Sequence, residues 1–416
     1  MIEVLGIAGQ PRRYGPFITP HGVAFNVWAP SAQSVELLER GQPPRRMPRD
    51  VDGWYQTISA TAHVGTRYQF RINGDLIVPD PASRFQPDDV GEPSEVIDTA
   101  ALRDPVLFVG RNWAESVIYG TFSPEGTYAS VENKLPYLKE LGVTAIELMP
   151  LNDVPGRRNW GYDGVLLNAP NARYGRPEDL SGSCAPRISI NIMVYLDAIY
   201  NHFRPQLNYL HNYAEPFFTD RHSTGWGPAV NLEGEHGEFV RQFLIDNALM
   251  WIRDYGFDGL RLDAVHALKH FLVELADTIR TRLVGRHVHL MLENEANQPH
   301  LLERKAGRAR LYNAQWGDDF HNALHVLLTG EKEGYYRAFA DKPLDHLARS
   351  LTENSYQGEV FPLHNRPRGA KSAHLPPDAT IFSHKTTIRS AIALLVSGSR
   401  LLWAPKNYVR RWRLFC

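Results

Sequence analysis

Over the first hundred positions apolar and polar residues alternate in short runs: VAFNVWAP (23–30), SVELLE (34–39), DGWYQTIS (52–59) and TRYQFRIN (66–73). A period of two, broken regularly by Pro, Gly and Asp, predicts antiparallel strands packed as a β-sandwich. The stretch VPDPASRFQPDDVGEP (78–93) is too rich in proline for regular structure and predicts an extended linker packed between domains. From about residue 117 the rhythm changes to short apolar runs separated by longer amphipathic stretches. Candidate strands are VTAIELMP (143–150), MVYLDAIY (193–200), FDGLRLDAV (257–265), HVHLMLENE (287–295) and RARLYNAQW (308–316). SVENKLPYLKELG and EFVRQFLIDNALMWIRDYG read as helices that stop at glycine. Alternating strands and helices at this length predict a parallel sheet, and six such units a β/α barrel.

Length allows this division. At 416 residues the chain can hold a barrel of roughly 250 residues and a smaller module. The expected domains are residues 1–104, a β-sandwich, then 105–382, the barrel, and finally 383–416, a tail treated below. Charge narrows the partners: a net charge of −1 gives no case for nucleic acid or an anionic membrane, so a neutral small molecule is expected. The two cysteines, Cys184 and Cys416, have neither metal-type spacing nor a disulfide framework. The amino terminus lacks a leader pattern and no apolar run is long enough to cross a bilayer, so a cytoplasmic location is expected. Nine Trp and eighteen Tyr suit sugar stacking and a well-filled core alike.

Polar residues gather at the ends of the apolar runs: Asp197, Asn201 and His202, then Arg261 and Asp263, then Glu293. In a barrel those ends face the active site. In DGLRLDAVH (258–266) Arg261 and Asp263 lie two apart on a strand and share a side, so the cation can hold the carboxylate ionised and oriented. Glu293, beside a second carboxylate in a partly dry pocket, would have a raised pKa and could donate a proton. Such a pair about 5 Å apart defines a retaining glycosidase and requires neither metal nor cofactor. Spacing alone favours the plainer reading of a structural ion pair and a helix-capping acid.

LDAIYNHF (196–203), GLRLDAVH (259–266) and LMLENE (290–295) resemble, in order, three of the four short conserved regions of the α-amylase family of glycoside hydrolases. The resemblance implies Asp263 as nucleophile, Glu293 as general acid/base and Arg261 as the group keeping Asp263 charged. It implies His202 as a sugar ligand at the cleavage point, with Asn201 and Asp197 supporting its loop. In GRRNWGYDGVL (156–166) it implies that Tyr162 stacks on the sugar being cleaved. GTFSPEGTY (120–128) and AQWGDDFHNALHVLLTGEKEGYY (314–336) resemble a trehalose-releasing subfamily whose substrate is a maltooligosyl trehalose. There Asp318 and His321 would contact the trehalose end; a capped surface turn is the alternative. A glycogen-branching or debranching enzyme, or a non-catalytic glucan-binding or vestigial protein, are the other readings. FNVWAPSAQSVEL (25–37) and PDPASRFQP (79–87) resemble the carbohydrate-module-like domain that precedes such barrels.

Three stretches depart from the family pattern. The fourth conserved region, an NHDQ-type motif carrying a third catalytic carboxylate, should follow HLPPDATIF (374–382), yet the chain continues FSHKTTIRS. Joining the last base of each codon to the first two of the next permits Gln, Asn, His, Asp and Gln from His384 to Arg389, so residues 383–416 read as an out-of-frame tail. The same register over SGSCAPRISINIM (181–193) restores an expected helix, and AESVIYGTF (114–122) lacks four residues of the first barrel strand. The expectation is therefore an N-terminal β-sandwich followed by an incomplete (β/α)8 TIM barrel, with impaired catalysis.

Overall fold

The computed structural model describes residues 13–103, 108–121, 126–156, 159–181, 190–224, 227–268, 270–354, 360–361 and 366–383. The readings made above for His384 to Cys416, and for most of the segment 181–193, lie outside the described residues. Two compact units result, residues 1–315 and 316–416.

In the first unit the alternating runs form two antiparallel sheets. Phe17–Thr19, Gly22–Trp28 and Trp54–Ser59 make a three-stranded sheet. Val35–Glu39 and Arg67–Ile72 are central to a five-stranded one. In both of these central strands every second residue is buried, as a period of two requires when one face meets a core. Phe25 of the first sheet meets Tyr68 of the second at a ring-centroid distance of 4.7 Å, and Ser59 Oγ donates to Glu39 Oε2 at 2.8 Å. The proline-rich stretch forms almost no regular structure, and residues 78–86 are buried throughout, as expected of a packed linker. Within it Arg84 donates to Asn168 Oδ1 at 2.9 Å and to the Tyr14 carbonyl at 3.0 Å, tying the N-terminal sheets to the following segment.

Six parallel strands of a seven-stranded sheet follow in chain order: β1 (Ile118–Thr121), β2 (Ala145–Leu148), β3 (Met193–Ala198), β4 (Gly259–Leu262), β5 (His289–Leu292) and β6 (Ala314–Trp316). Each pairs in parallel with its predecessor. Sequential parallel neighbours, with helices in the connections from β1 to β2, β3 to β4 and β4 to β5, follow the β/α-barrel pattern, and the described residues supply fewer than the eight strands that close one. β3, β4 and β5 are buried along their whole length, which explains their continuous apolar text. The shortened first strand still forms as β1, four residues paired with β2, of which Tyr119 is 46% exposed. Helices α1 (Tyr128–Glu132), α2 (Leu135–Glu140), α3 (Gly237–Arg253) and α4 (Phe271–Arg282) accompany the sheet. The glycines expected to stop α2 and α3, Gly142 and Gly256, have φ of 89° and 77°, a left-handed conformation that glycine adopts without a steric cost.

The helix α3 buries Phe243, Leu244, Ala248 and Trp251 along one side. The N-terminal sheets meet it through aromatic rings. Tyr14 lies 4.9 Å from Phe243 and Trp28 lies 5.2 Å from Phe239, between centroids. At the other end of the strands Asp258, fully buried, accepts from the Val194 amide at 2.9 Å and pairs with Arg286 at 3.0 Å, fixing β3 against β4.

In the second unit α5 (Asp318–Thr329) and α6 (Pro343–Glu353) pack around Ala323, Val326, Tyr336 and Phe339. Arg368 forms a buried ion pair with Asp319 at 2.6 Å, and the Gly317 amide donates to the Ile381 carbonyl at 3.0 Å.

Gly259 leaves no room for a side chain: an added Cβ would lie 2.0 Å from the His289 carbonyl oxygen. Gly259→Ala is expected to lower stability by about 1–3 kcal/mol or more through overpacking, read as a reduced midpoint in urea unfolding without a change in slope.

Candidate active site

Backbone pairing assembles the site before any side chain is considered. Asp197 of β3 stands in register with Arg261 of β4, so both project to the same side of the sheet. The ladder continues past the strand ends. The Asp263 amide donates to the Ala198 carbonyl at 3.0 Å and the Glu293 amide to the Leu262 carbonyl at 2.9 Å. Asp263 and Glu293 are thus held at neighbouring C-terminal strand ends, where β/α barrels carry their chemistry. Ala264, the next residue, has φ 44° in the left-handed region, a conformation that costs an alanine on the order of 1 kcal/mol. Its amide donates to Glu293 Oε2 at 3.1 Å.

Arg261 is the hub. Its Nη1 donates to Asp197 Oδ1 at 2.7 Å and to Asp263 Oδ1 at 2.5 Å, while Nη2 lies 3.0 Å from Glu293 Oε2. The Arg261, Asp197 and Asp263 side chains are at most 9% exposed, whereas that of Glu293 is 19% exposed. Tyr162 donates its hydroxyl to Asp197 Oδ2 at 2.6 Å. His202 follows: its Nε2 is 3.0 Å from the Tyr162 carbonyl, and its Nδ1 is 2.8 Å from Asn201 Oδ1. Seven residues expected from the sequence, Tyr162, Asp197, Asn201, His202, Arg261, Asp263 and Glu293, are therefore linked through one hydrogen-bonded network.

Asp318 and His321 belong to the second unit. Both are buried in the first turns of α5, so the alternative of a surface turn does not describe them.

Charge accounting shows what the network requires. Burial raises the Asp263 pKa well above the usual carboxylate range, opposed by Arg261 and reinforced by Glu293 and Asp197. Burial likewise raises Asp197, against the pull of Arg261 and the Tyr162 hydroxyl. For Arg261 itself burial favours the neutral form, but Asp197, Glu293 and Asp263 outweigh it and hold the guanidinium charged. His202 is lowered by burial and stays a neutral imidazole at pH 7. A fourth carboxyl, Glu147 of β2, is pushed up to about 8 by burial and by Asp197. Sequence reasoning missed it, although a lone Glu inside the apolar run VTAIELMP was a visible signal. A single guanidinium cannot balance four clustered carboxylates, three of them largely buried, so the cluster retains protons. Among the described residues no group of three or more His, Cys, Asp or Glu has an arrangement that could hold a metal ion.

The site is therefore a buried arginine shared by carboxyl groups at the C-terminal ends of parallel strands, the end at which β/α barrels place their functional groups. Residues 84–226 match the model of the alpha amylase catalytic domain. The malto-oligosyltrehalose trehalohydrolase of Saccharolobus solfataricus is 38% identical over 336 residues, which cover 78% of this chain and 59% of that protein. The enzyme of the same name from Rhizobium sp. is 39% identical over 375 residues, covering 84% and 62%. A crystal structure of a Salmonella typhimurium protein assigned to the alpha amylases superposes with a TM-score of 0.85 at 40% identity, covering 90% of this chain and 65% of that one. A pullulanase from Paenibacillus barengoltzii complexed with maltotetraose, 18% identical with a TM-score of 0.68, shares the fold; the match covers 94% of this chain and 70% of that one. The chain is similar over most of its length to these malto-oligosyltrehalose trehalohydrolases, and it spans about six-tenths of their length.

Arg261→Gln removes the cation from a buried carboxyl cluster. The expected loss is about 3–5 kcal/mol, as when one partner of a buried ion pair is removed, measured by chemical denaturation at pH 7.

Proposed function

We propose that this chain derives from a retaining glycoside hydrolase that releases trehalose from the end of a maltooligosyl trehalose. The observation that carries the reading is the attachment of Asp263 and Glu293 to adjacent nitrogens of one guanidinium at neighbouring strand ends. Two carboxyls on one guanidinium suit the short separation, about 5 Å, of retaining enzymes rather than the wider gap of inverting ones. Asp263 attacks the anomeric carbon while Glu293 gives its proton to the glycosidic oxygen, and the trehalose end leaves. Water then attacks the glycosyl-enzyme with Glu293 taking the proton back. Arg261 stabilises the ionised form of Asp263, provided that other members of the cluster hold the protons. Tyr162 and His202, joined through the Tyr162 carbonyl, flank Asp197 where a sugar ring would sit. The similarity to two enzymes named malto-oligosyltrehalose trehalohydrolase supports this substrate over a branching or debranching reaction.

Supporting parts of the reading concern the rest of the chain. The two N-terminal sheets, within residues 1–104, act as a β-sandwich brace in front of a barrel spanning 105–382. Asp318 and His321 serve the trehalose end of the substrate. Neutral glucan chemistry and the even charge balance suit a cytoplasmic protein with no nucleic-acid or membrane partner. Among the described residues no helix is long and apolar enough to cross a membrane.

The chain as written lacks an NHDQ-type stretch after HLPPDATIF, and with it the third carboxylate. Loss of one preorganised electrostatic group costs on the order of 10² to 10³ in rate. Incubated with a maltooligosyl trehalose, the chain is expected to release trehalose at least that much more slowly than an intact relative. Restoring the shifted reading frame should recover the rate, and Asp263→Asn or Glu293→Gln in the restored chain should abolish it. A restored, folded chain that releases no trehalose would refute the assignment.

A further inference from the structure

Glu147 has no part in the reaction outlined above, yet it faces the same cluster. It stands within β2, in register with Gly120 of β1 and Tyr195 of β3. Alternate residues of a strand share a face, so Glu147, Tyr195 and Asp197 project to the side that carries Arg261, with Glu147 one layer below it. The groups acting on it are Asp197 and Tyr195 from β3, Arg261 from β4 and Glu293 from the end of β5. From β1 it meets Gly120, which has no side chain to offer. Its Oε2 is buried and has no hydrogen-bond partner among the described residues.

An ionised carboxylate there would bring a further negative charge beneath a guanidinium already shared by three acids, with no donor to solvate its second oxygen. A neutral carboxylic acid avoids both costs. We propose that Glu147 is a positioning residue: held as the neutral acid below Arg261, it stores one proton of the cluster and leaves the guanidinium charge to Asp263, Asp197 and Glu293. Its effect on chemistry is exerted through Arg261, without contact with substrate. The proposal rests on reading this cluster as the catalytic centre, but the proton itself can be observed with no substrate present.

The sign of the pH dependence follows from burial. The Glu147 pKa rises from the ordinary glutamate value to about 8, so over that interval the folded chain holds a proton that the unfolded chain has released. Stability is fully present below the unfolded value, about 4.3, and declines as pH rises until the folded value is passed. Glu147→Gln cannot release this proton, so the variant should lose one proton's share of the decline in unfolding midpoint between about pH 5 and pH 8.

The direct test uses the full chain carrying ¹³C at the glutamate Cδ. One glutamate resonance is expected to titrate near pH 8 in the wild type and in Glu293→Gln, and to vanish in Glu147→Gln. A wild type and Glu293→Gln with every glutamate titrating in the ordinary range would overturn the proposal, and so would a folded Glu147→Gln with an unchanged pH slope. If Glu147→Gln does not fold, the first two samples decide. A resonance near pH 8 in a chain whose restored form releases no trehalose would leave Glu147's proton established and refute only the substrate reading.

Discussion

The guanidinium of Arg261 organises this site. It is buried, it is charged, and it touches three carboxyls carried by three successive strands, β3, β4 and β5. Taking such a charge out of water costs several kcal/mol, which is recovered only if its hydrogen bonds are well aimed. Alignment comes from the parallel register that sets Asp197 opposite Arg261 and from the ladder that runs on to Asp263 and Glu293. Backbone pairing and electrostatics thus impose the same geometry: a slip of one residue between β3 and β4 would turn Arg261 away from Asp197 and leave it unpaired. The tolerance for change in these strands is correspondingly small.

Much of this was legible in the sequence because two periodicities wrote it there. The alternation in SVELLE and TRYQFRIN is the buried face of Val35–Glu39 and Arg67–Ile72, and the continuous apolar text of MVYLDAIY is a strand covered on both sides. Strand limits were less visible. RARLYNAQW contributes only Ala314–Trp316 to the sheet, while Arg308 and Ala309 pair with Arg304 and Lys305 in a separate hairpin. Side-chain pattern records burial, and burial extends beyond the residues whose backbones pair.

The site divides the same way. Arg261 and Asp263 were readable from a spacing of two on one strand, and Glu293 from its place at the end of another. Tyr162 could be suspected, but its bond to Asp197 joins residues 35 positions apart, a relation no local pattern encodes. Glu147 was missed for a different reason: inside VTAIELMP it stands out as a lone acid, but only the register of β2 against β3 shows that it faces the interior charges. The strained backbone at Ala264 was equally silent, since alanine gives no sign of a left-handed turn.

The aromatic contacts between the N-terminal sheets and α3 bear on how such a chain ages. Tyr14, Trp28 and Trp54 are buried against Phe239 and Phe243. These rings contribute folding energy without reference to the Arg261 cluster, so the selection that keeps them is separable from the selection that keeps the acids. A gene that loses a catalytic group late in its reading frame can go on encoding this interface unaltered. Such an interface can therefore keep a fold recognisable independently of the chemistry it once supported.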